Sequence, residues 1–144
     1  MILLDTNVLI YASIPDSPFE TWAKRIIANA VSREGAAINA ISLSELCVGE
    51  EEPENAANTV RGWGVDILDI PAAAAEVSAV AYRRYRQRRL SQSGKGSSTI
   101  PLPDFFIGAH AQIMRWPLAT ADSGRFKTYF PSLTLITPEQ PCAG

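Results

Sequence analysis

Four acidic residues, Asp5, Glu45, Asp104 and Asp122, stand where an apolar run ends or a helix starts. Asp5 follows Ile2-Leu3-Leu4 directly, and Asp122 lies just past the run Pro117 to Thr120. Glu45 falls in the first turn of the helix expected after Ala36 to Ile41, and Asp104 starts a helix beside Pro103. Carboxylates brought together without partners repel one another and take up protons. A divalent cation removes that penalty, and an all-oxygen ligand set favours Mg²⁺ or Mn²⁺ over Zn²⁺. An ion held in this way activates water and stabilises negative charge on a phosphate, so metal-assisted hydrolysis is the chemistry suggested. The single histidine, His110, lies in the middle of the Asp104 helix and reads as a packing residue rather than a ligand.

Each acid also has a plain structural reading. Glu45 completes Ser42-x-x-Glu45, a capping box in which the Glu bonds the N-cap amide. Asp104 is an acid of the kind a helix N-terminus favours, and Asp122 could cap the helix expected from Ser123. Asp5 is hardest to explain this way, because an acid at the buried end of an apolar strand needs a partner.

The elements that must position these residues follow from periodicity and punctuation. Strands are expected at Ile2–Leu4, Ala36–Ile41, Val65–Ile70, Pro117–Thr120 and Leu133–Ile136. Thr6 to Tyr11 reads as a short helix. Ser17-Pro18 starts the next, with Ser as N-cap and Pro at the first helical position. That helix turns Trp22, Ile26, Ile27, Ala30 and Val31 to one face and ends at Glu34-Gly35. Ser42 opens a helix to about Gly49, Pro53 another through Val60, and Pro71 a long one to about Arg89. The long helix is expected to face inward with Ala74, Val77, Val80, Ala81 and Tyr85. Residues 91–99 lack any large apolar side chain and read as a flexible loop. Helices follow at Pro103–Arg115 and Ser123–Tyr129. Alternating strands and helices imply an α/β fold, a mostly parallel sheet with helices on both faces and right-handed crossovers. The site of such a fold lies at the carboxyl ends of the strands, where the strand order reverses.

The chain has 144 residues, the size of one domain, and 47% hydrophobic content. No apolar run approaches the roughly 20 residues a bilayer span needs. Met1-Ile2-Leu3-Leu4-Asp5 has no basic flank and is not a signal peptide. The cytoplasm is the expected location, and Cys47 and Cys142, in no metal-binding spacing, suit a reducing compartment. A net charge of −2 argues against a wholly basic nucleic-acid binder. Residues 83–95 nevertheless carry Arg83, Arg84, Arg86, Arg88, Arg89 and Lys95 without an acid, whereas residues 45–54 are rich in Glu. Such a split leaves room for a local surface that holds phosphates. Arg83, Arg84 and Arg86 cannot all face one way on a helix, so some are merely solvated. Trp22, Trp63 and Trp116 read as packing residues rather than base-stacking ones.

The segments around the acids resemble those of PIN-domain nucleases, particularly VapC-type toxins of bacterial toxin–antitoxin pairs. The resemblance runs through Ile2-Leu3-Leu4-Asp5-Thr6-Asn7-Val8-Leu9-Ile10, Ile41-Ser42-Leu43-Ser44-Glu45-Leu46 and Pro103-Asp104-Phe105-Phe106-Ile107-Gly108-Ala109-His110-Ala111. It continues in Leu118-Ala119-Thr120-Ala121-Asp122 and on to Arg125-Phe126 and Tyr129-Phe130-Pro131. Each segment alone is weakly specific, and together, in order, they cover nearly the whole chain. The resemblance implies one PIN-like domain over residues 1–138 with a tail at 139–144, and five parallel strands in the order 3-2-1-4-5. It implies a Mg²⁺- or Mn²⁺-dependent endoribonuclease in which Asp5, Glu45 and Asp104 are the central ligands and Asp122 acts directly or through water. Thr6 or Asn7, and Thr120, would bond the carboxylates or the phosphate. In-line attack of water would leave a 5′-phosphate and a 3′-hydroxyl. It further implies a cognate antitoxin that covers the acidic site, and a homodimer. Arg86, Arg89, Lys95 and Arg125 are the candidates for RNA-backbone contact. Ala121 departs from the pattern, since many relatives carry a basic residue there.

Other classes fit less well. A phosphatase of the haloacid-dehalogenase type needs a second Asp where this chain has Asn7. A phosphoacceptor receiver domain needs an acid pair near the first strand and a lysine after the last, and this chain has neither. The serious alternative is a catalytically silent PIN-type module that binds RNA or protein.

Overall fold

The structure is a computed structural model that describes residues 1–91 and 99–138. Its elements, in chain order, are β1 (Ile2–Leu4), α1 (Thr6–Ser13), α2 (Glu20–Ser32), β2 (Ala36–Asn39), α3 (Ala40–Val48) and α4 (Glu54–Gly62). They continue with β3 (Asp66–Leu68), α5 (Ala74–Ser91), α6 (Leu102–Met114), β4 (Leu118–Ala119), α7 (Ser123–Tyr129) and β5 (Leu135–Ile136). All strand pairs are parallel, in the order β3-β2-β1-β4-β5, as expected from the sequence. The chain leaves β1 towards β2 and β3 on one side, then returns to β4 and β5 on the other. The reversal therefore lies between β1 and β4, the place where such sheets open a crevice beyond their strand ends.

Side chains alternate across the sheet with the strand period of two. Ile2 and Leu4 of β1, with Ala36 and Ile38 of β2, pack beneath α1, α2 and α4. Leu3, Ala37 and Leu118 face the opposite way, against α5, α6 and α7. Both faces are thus covered, which is why the inner strands are continuously apolar. Gly35 ends the turn from α2 into β2 at φ +89°, a left-handed conformation that glycine adopts without strain.

Several boundaries differ from the sequence reading. α2 starts at Glu20, and Ser17 is not its cap: the Ser17 hydroxyl donates to the Tyr11 carbonyl at 2.8 Å. β2 stops at Asn39 rather than Ile41, and α3 begins at Ala40. Asn39 is the N-cap, its side-chain oxygen accepting from the Ile41 and Ser42 amides at 3.0 and 3.2 Å. The Ser42–Glu45 capping box is therefore not formed, and Glu45 lies beyond the first turn. On α5 Val80 is 52% exposed and Ser78 takes the inward place, because a helical period from Ala74 and Ala81 leaves Val80 outside. β3 and β5 are shorter than expected, since pairing ends where the neighbouring strands end. Residues 92–98 of the expected loop, Lys95, Cys142 and the 139–144 tail lie outside the described residues.

Gly108 lets the ring of Phe130, at the end of α7, pack directly against α6. A Cβ built on Gly108 would stand 2.5 Å from Phe130 Cε2, and Phe130 is only 3% exposed. Gly108→Ala should therefore destabilise the fold by about 1–3 kcal/mol through overpacking, beyond the ~1 kcal/mol gained in helix propensity. Urea unfolding checks this, and Phe130→Leu in the same chain should restore part of the loss.

Candidate active site

Each acid reaches the crevice from a different element. Asp5 occupies the residue between β1 and α1, its backbone amide bonded to the Ala119 carbonyl at 2.9 Å. That bond extends the β1–β4 pairing by one step and fixes where the Asp5 side chain emerges. The side chain is almost wholly buried, and Oδ2 accepts from the Thr120 hydroxyl at 2.8 Å. Thr120 is itself held, accepting from the Asp122 amide at 3.0 Å and, at 3.5 Å, from Asn7 Nδ2. Asn7 Oδ1 accepts from the Ala121 amide at 3.2 Å. One hydroxyl thus joins the exit of β4 to the carboxylate at the exit of β1.

Glu45 is exposed on α3 and leans towards Thr6. The Thr6 hydroxyl lies 2.9 Å from Ser42 Oγ and 3.2 Å from Glu45 Oε1. A hydroxyl has one proton to give, so Ser42 must supply the second bond whenever Thr6 donates to Glu45. Asp104 sits half-buried in the first turn of α6, after Pro101 at the N-cap. Asp122 is at the N-cap position of α7 but makes no side-chain cap bond, and its side chain is 48% exposed.

The four acids share one cation. Arg125 on α7 donates to Asp104 Oδ2 through Nη1 at 2.8 Å and lies 3.4 Å from Asp122 Oδ2 through Nε. Burial pushes the Asp5 carboxyl up to about 6, and the nearby Asp104 adds to it, against the Thr120 bond and Arg125. Burial, then Asp104, raises Glu45. Asp104 is raised by burial in spite of Arg125. The acids are thus close enough to feel one another and short of positive charge. Among the described residues no three His, Cys, Asp or Glu side chains are drawn together as a formed metal cage. The donor set nevertheless suits a hard divalent ion: all its ligands are carboxylate oxygens, one is buried, and a guanidinium already stands on two of them.

Three residues make buried contacts that the sequence reading did not foresee. Asn39 and His110 form a buried link, with Asn39 Nδ2 3.3 Å from His110 Nδ1. Because Asn39 Oδ1 is committed to the α3 amides, its nitrogen must donate, so the ring is neutral with its proton on Nε2. Burial lowers the His110 pKa and supports that state. His110 packs against Trp116 as a core residue and ties the helix of Asp104 to the cap of the helix of Glu45. Ser42, fully buried, is the third. A polar residue at the end of an apolar strand was the available signal for Asn39. Among the basic candidates, Arg125 enters the acidic cluster, whereas Arg86 is exposed on α5 away from it. Arg89 is held by the Tyr85 hydroxyl and Thr99 Oγ1, both at 2.9 Å.

The PIN domain family model matches residues 2–130. Among solved structures the chain is similar to VapBC2 from Rickettsia felis bound to a promoter DNA fragment, at 22% identity and TM-score 0.70, covering 95% of this chain and 98% of that one. It is similar to DNA-bound VapBC from Salmonella typhimurium at 23% identity and TM-score 0.66, covering 94% and 96%. It is also similar to VapC20 from Mycobacterium tuberculosis, a sarcin-ricin loop cleaving toxin, at 15% identity and TM-score 0.65, covering 96% and 100%. These identities speak for the fold alone. No curated protein matches the sequence.

The buried charge of Asp5 has a stability consequence. An acid whose folded value, about 6, lies above its ordinary 3.8 binds its proton more tightly in the folded chain. The folded state is therefore favoured at low pH, and that advantage is lost as pH rises from 3.8 through about 6. At pH 7.5 in EDTA, Asp5→Asn should raise stability by about 1–3 kcal/mol, since it removes a buried charge and keeps the shape. Thermal melting checks this, and a lower melting temperature for Asp5→Asn would refute it.

Proposed function

The chain belongs to the PIN-domain family, and on that premise we propose that it is a Mg²⁺- or Mn²⁺-dependent endoribonuclease, the toxin of a toxin–antitoxin pair. One observation carries the reading: four acids separated by up to 117 positions lie within electrostatic range of one another near the reversal point of a parallel sheet, one of them a buried carboxylate. The structural likeness to VapC20, described as a sarcin-ricin loop cleaving toxin, supports RNA as the substrate.

In this reading Asp5 and Asp104 hold the metal most directly, Glu45 shares it or orients the attacking water, and Asp122 acts directly or through water. A divalent ion held by these carboxylates would supply a water of lowered pKa and positive charge for the phosphate. Thr120 keeps Asp5 in one orientation, and Thr6 does the same for Glu45. Water enters in line, and the products carry a 5′-phosphate and a 3′-hydroxyl. Arg86, Arg89, Lys95 and Arg125 contact the RNA backbone. Arg89 keeps N–H donors for this beyond the two bonds it makes, because a guanidinium has five.

A cognate antitoxin and a homodimer belong to the same proposal. Structures of VapBC complexes among the similar folds support the antitoxin. Support for a protein contact comes from the exposed apolar residues Ile10, Ile14, Val48 and Trp63 on or beside α1, α3 and α4. With no helix of the described residues long and apolar enough to span a bilayer, action in the cytoplasm is proposed as well.

Cleavage of RNA by the purified protein, followed in Mg²⁺ and in EDTA, tests the reading. Loss of a partner behind a metal ligand already lowers activity about 10- to 100-fold, so Asp5→Asn and Asp104→Asn should each lower it more than about 100-fold with the fold intact. Thr120→Val should fall in the 10- to 100-fold range. A wild-type chain that binds RNA but never cuts it would favour the silent binding module instead.

A further inference from the structure

The acidic site already contains a cation of its own. Arg125 Nη1 stands 2.8 Å from Asp104 Oδ2, and Nε stands 3.4 Å from Asp122 Oδ2. The only other ion pair among the described residues is Lys24–Glu20, a surface pair one helical turn apart. Arg125 is only 31% exposed in its side chain, and Asp104 only 14%, so solvent screens their contact less than it would a surface pair. The position is built rather than accidental. Phe126 and Phe130, on either side of α7's last turn, are buried in the core against α6 and α5, which fixes the face of α7 that Arg125 shares with the site. The same guanidinium offsets part of the rise that burial causes at Asp5, Glu45 and Asp104.

We infer that Arg125 is the resident counter-cation of this site and competes with the divalent ion for the Asp104 and Asp122 carboxylates. This rests on the reading of the acids as a metal centre. With no metal, Arg125 holds apart the repulsion that two neighbouring carboxylates would otherwise feel. A divalent ion on the same oxygens faces a positive charge within hydrogen-bond distance of its ligands and must drive it off or bind more weakly. Arg125 thereby sets the metal concentration at which the site fills, and the guanidinium released is then free for the RNA phosphate proposed above. It is a positioning and gating residue: its effect should be visible in metal binding without any substrate present.

The test is a calorimetric Mn²⁺ titration of the full chain without RNA, for wild type, Arg125→Gln and Arg125→Lys, with melting curves in EDTA alongside. Arg125→Gln should bind Mn²⁺ at least about tenfold more tightly, because the repelling charge is gone, and should melt at a lower temperature in EDTA than wild type. Arg125→Lys should lie between, since an ammonium keeps the charge but loses the planar fork that reaches both carboxylates. Equal or weaker Mn²⁺ binding by Arg125→Gln, with wild type binding normally, overturns the inference and leaves the metal centre standing. Wild type that binds no Mn²⁺ overturns both. Should Arg125→Gln not fold, Arg125→Lys decides: tighter Mn²⁺ binding supports the competition and unchanged binding overturns it.

Discussion

A carboxylate at the end of an inner strand of a sheet covered on both faces has little access to water, and Asp5 is in that position. Its strand, β1, lies between β2 and β4 and cannot shift to expose it. Much of the surrounding structure can be understood as what this charge requires. The Thr120 hydroxyl donates to it, Arg125 supplies positive charge nearby, and the chain turns into helices at the same edge. α1 starts at Thr6, one residue after β1, and α3 at Ala40, directly after β2, so the N-termini of both helices lie at the strand ends where the acids gather. Parallel topology is what makes this happen repeatedly: every strand runs the same way, so every strand exit, and every helix start that follows at once, falls on one edge.

The acids are not independent once placed there. Thr6 joins the Glu45 carboxylate to buried Ser42, and so connects the first turn of α1 to α3. Asn39 caps α3 and, with its other face, donates to His110 on α6. The helices that carry Glu45 and Asp104 are therefore fixed to each other by a neutral, buried hydrogen bond rather than by an ion pair. That choice has a physical advantage. A neutral link does not compete with a cation for the acids and does not alter the charge they present, whereas a salt bridge in the same place would do both.

The alternation of strands and helices was legible because it rests on strong local signals, whereas the strand order came with the resemblance to PIN domains. Apolar runs such as Ile2-Leu3-Leu4 and Ile38 with its alanine neighbours announce inner strands, and a polar residue directly after each run marks its exit. What the sequence hid depended on partners distant along the chain. Ser42-x-x-Glu45 satisfies the local pattern of a capping box as well as Asn39 does that of an N-cap. The choice falls to Asn39 because β2 pairs with β3 through Asn39 and Leu68, and His110 waits 71 residues away. Arg125 likewise reads as a candidate for RNA-backbone contact, and only the placement of α7 shows it paired with Asp104, 21 positions back. Val80 was misassigned for a simpler reason: β-branched apolar character does not decide which side of a helix faces inward when Ala and Ser occupy the packed stripe.

Exposure then separates roles that residue type alone leaves equal. Asp5 is enclosed, so its charge acts through protein rather than water, and a cation near it is attracted far more strongly than by a surface acid. Asp104 is half-buried and already shares its charge with Arg125. Glu45 is exposed, and its long side chain is steadied by Thr6 alone. Asp122 is the most open of the acids bound to Arg125, with its backbone, not its carboxylate, tied into the Thr120 network. Such a gradient runs from a buried, desolvated anchor to an exposed rim. In the metal centre proposed for this site, the inner acid would define where a cation sits, while the solvated outer acids would adjust to whatever the cation carries with it. A hard ion that keeps part of its water shell is suited by that gradient better than by four equally buried carboxylates, which would have to strip it completely.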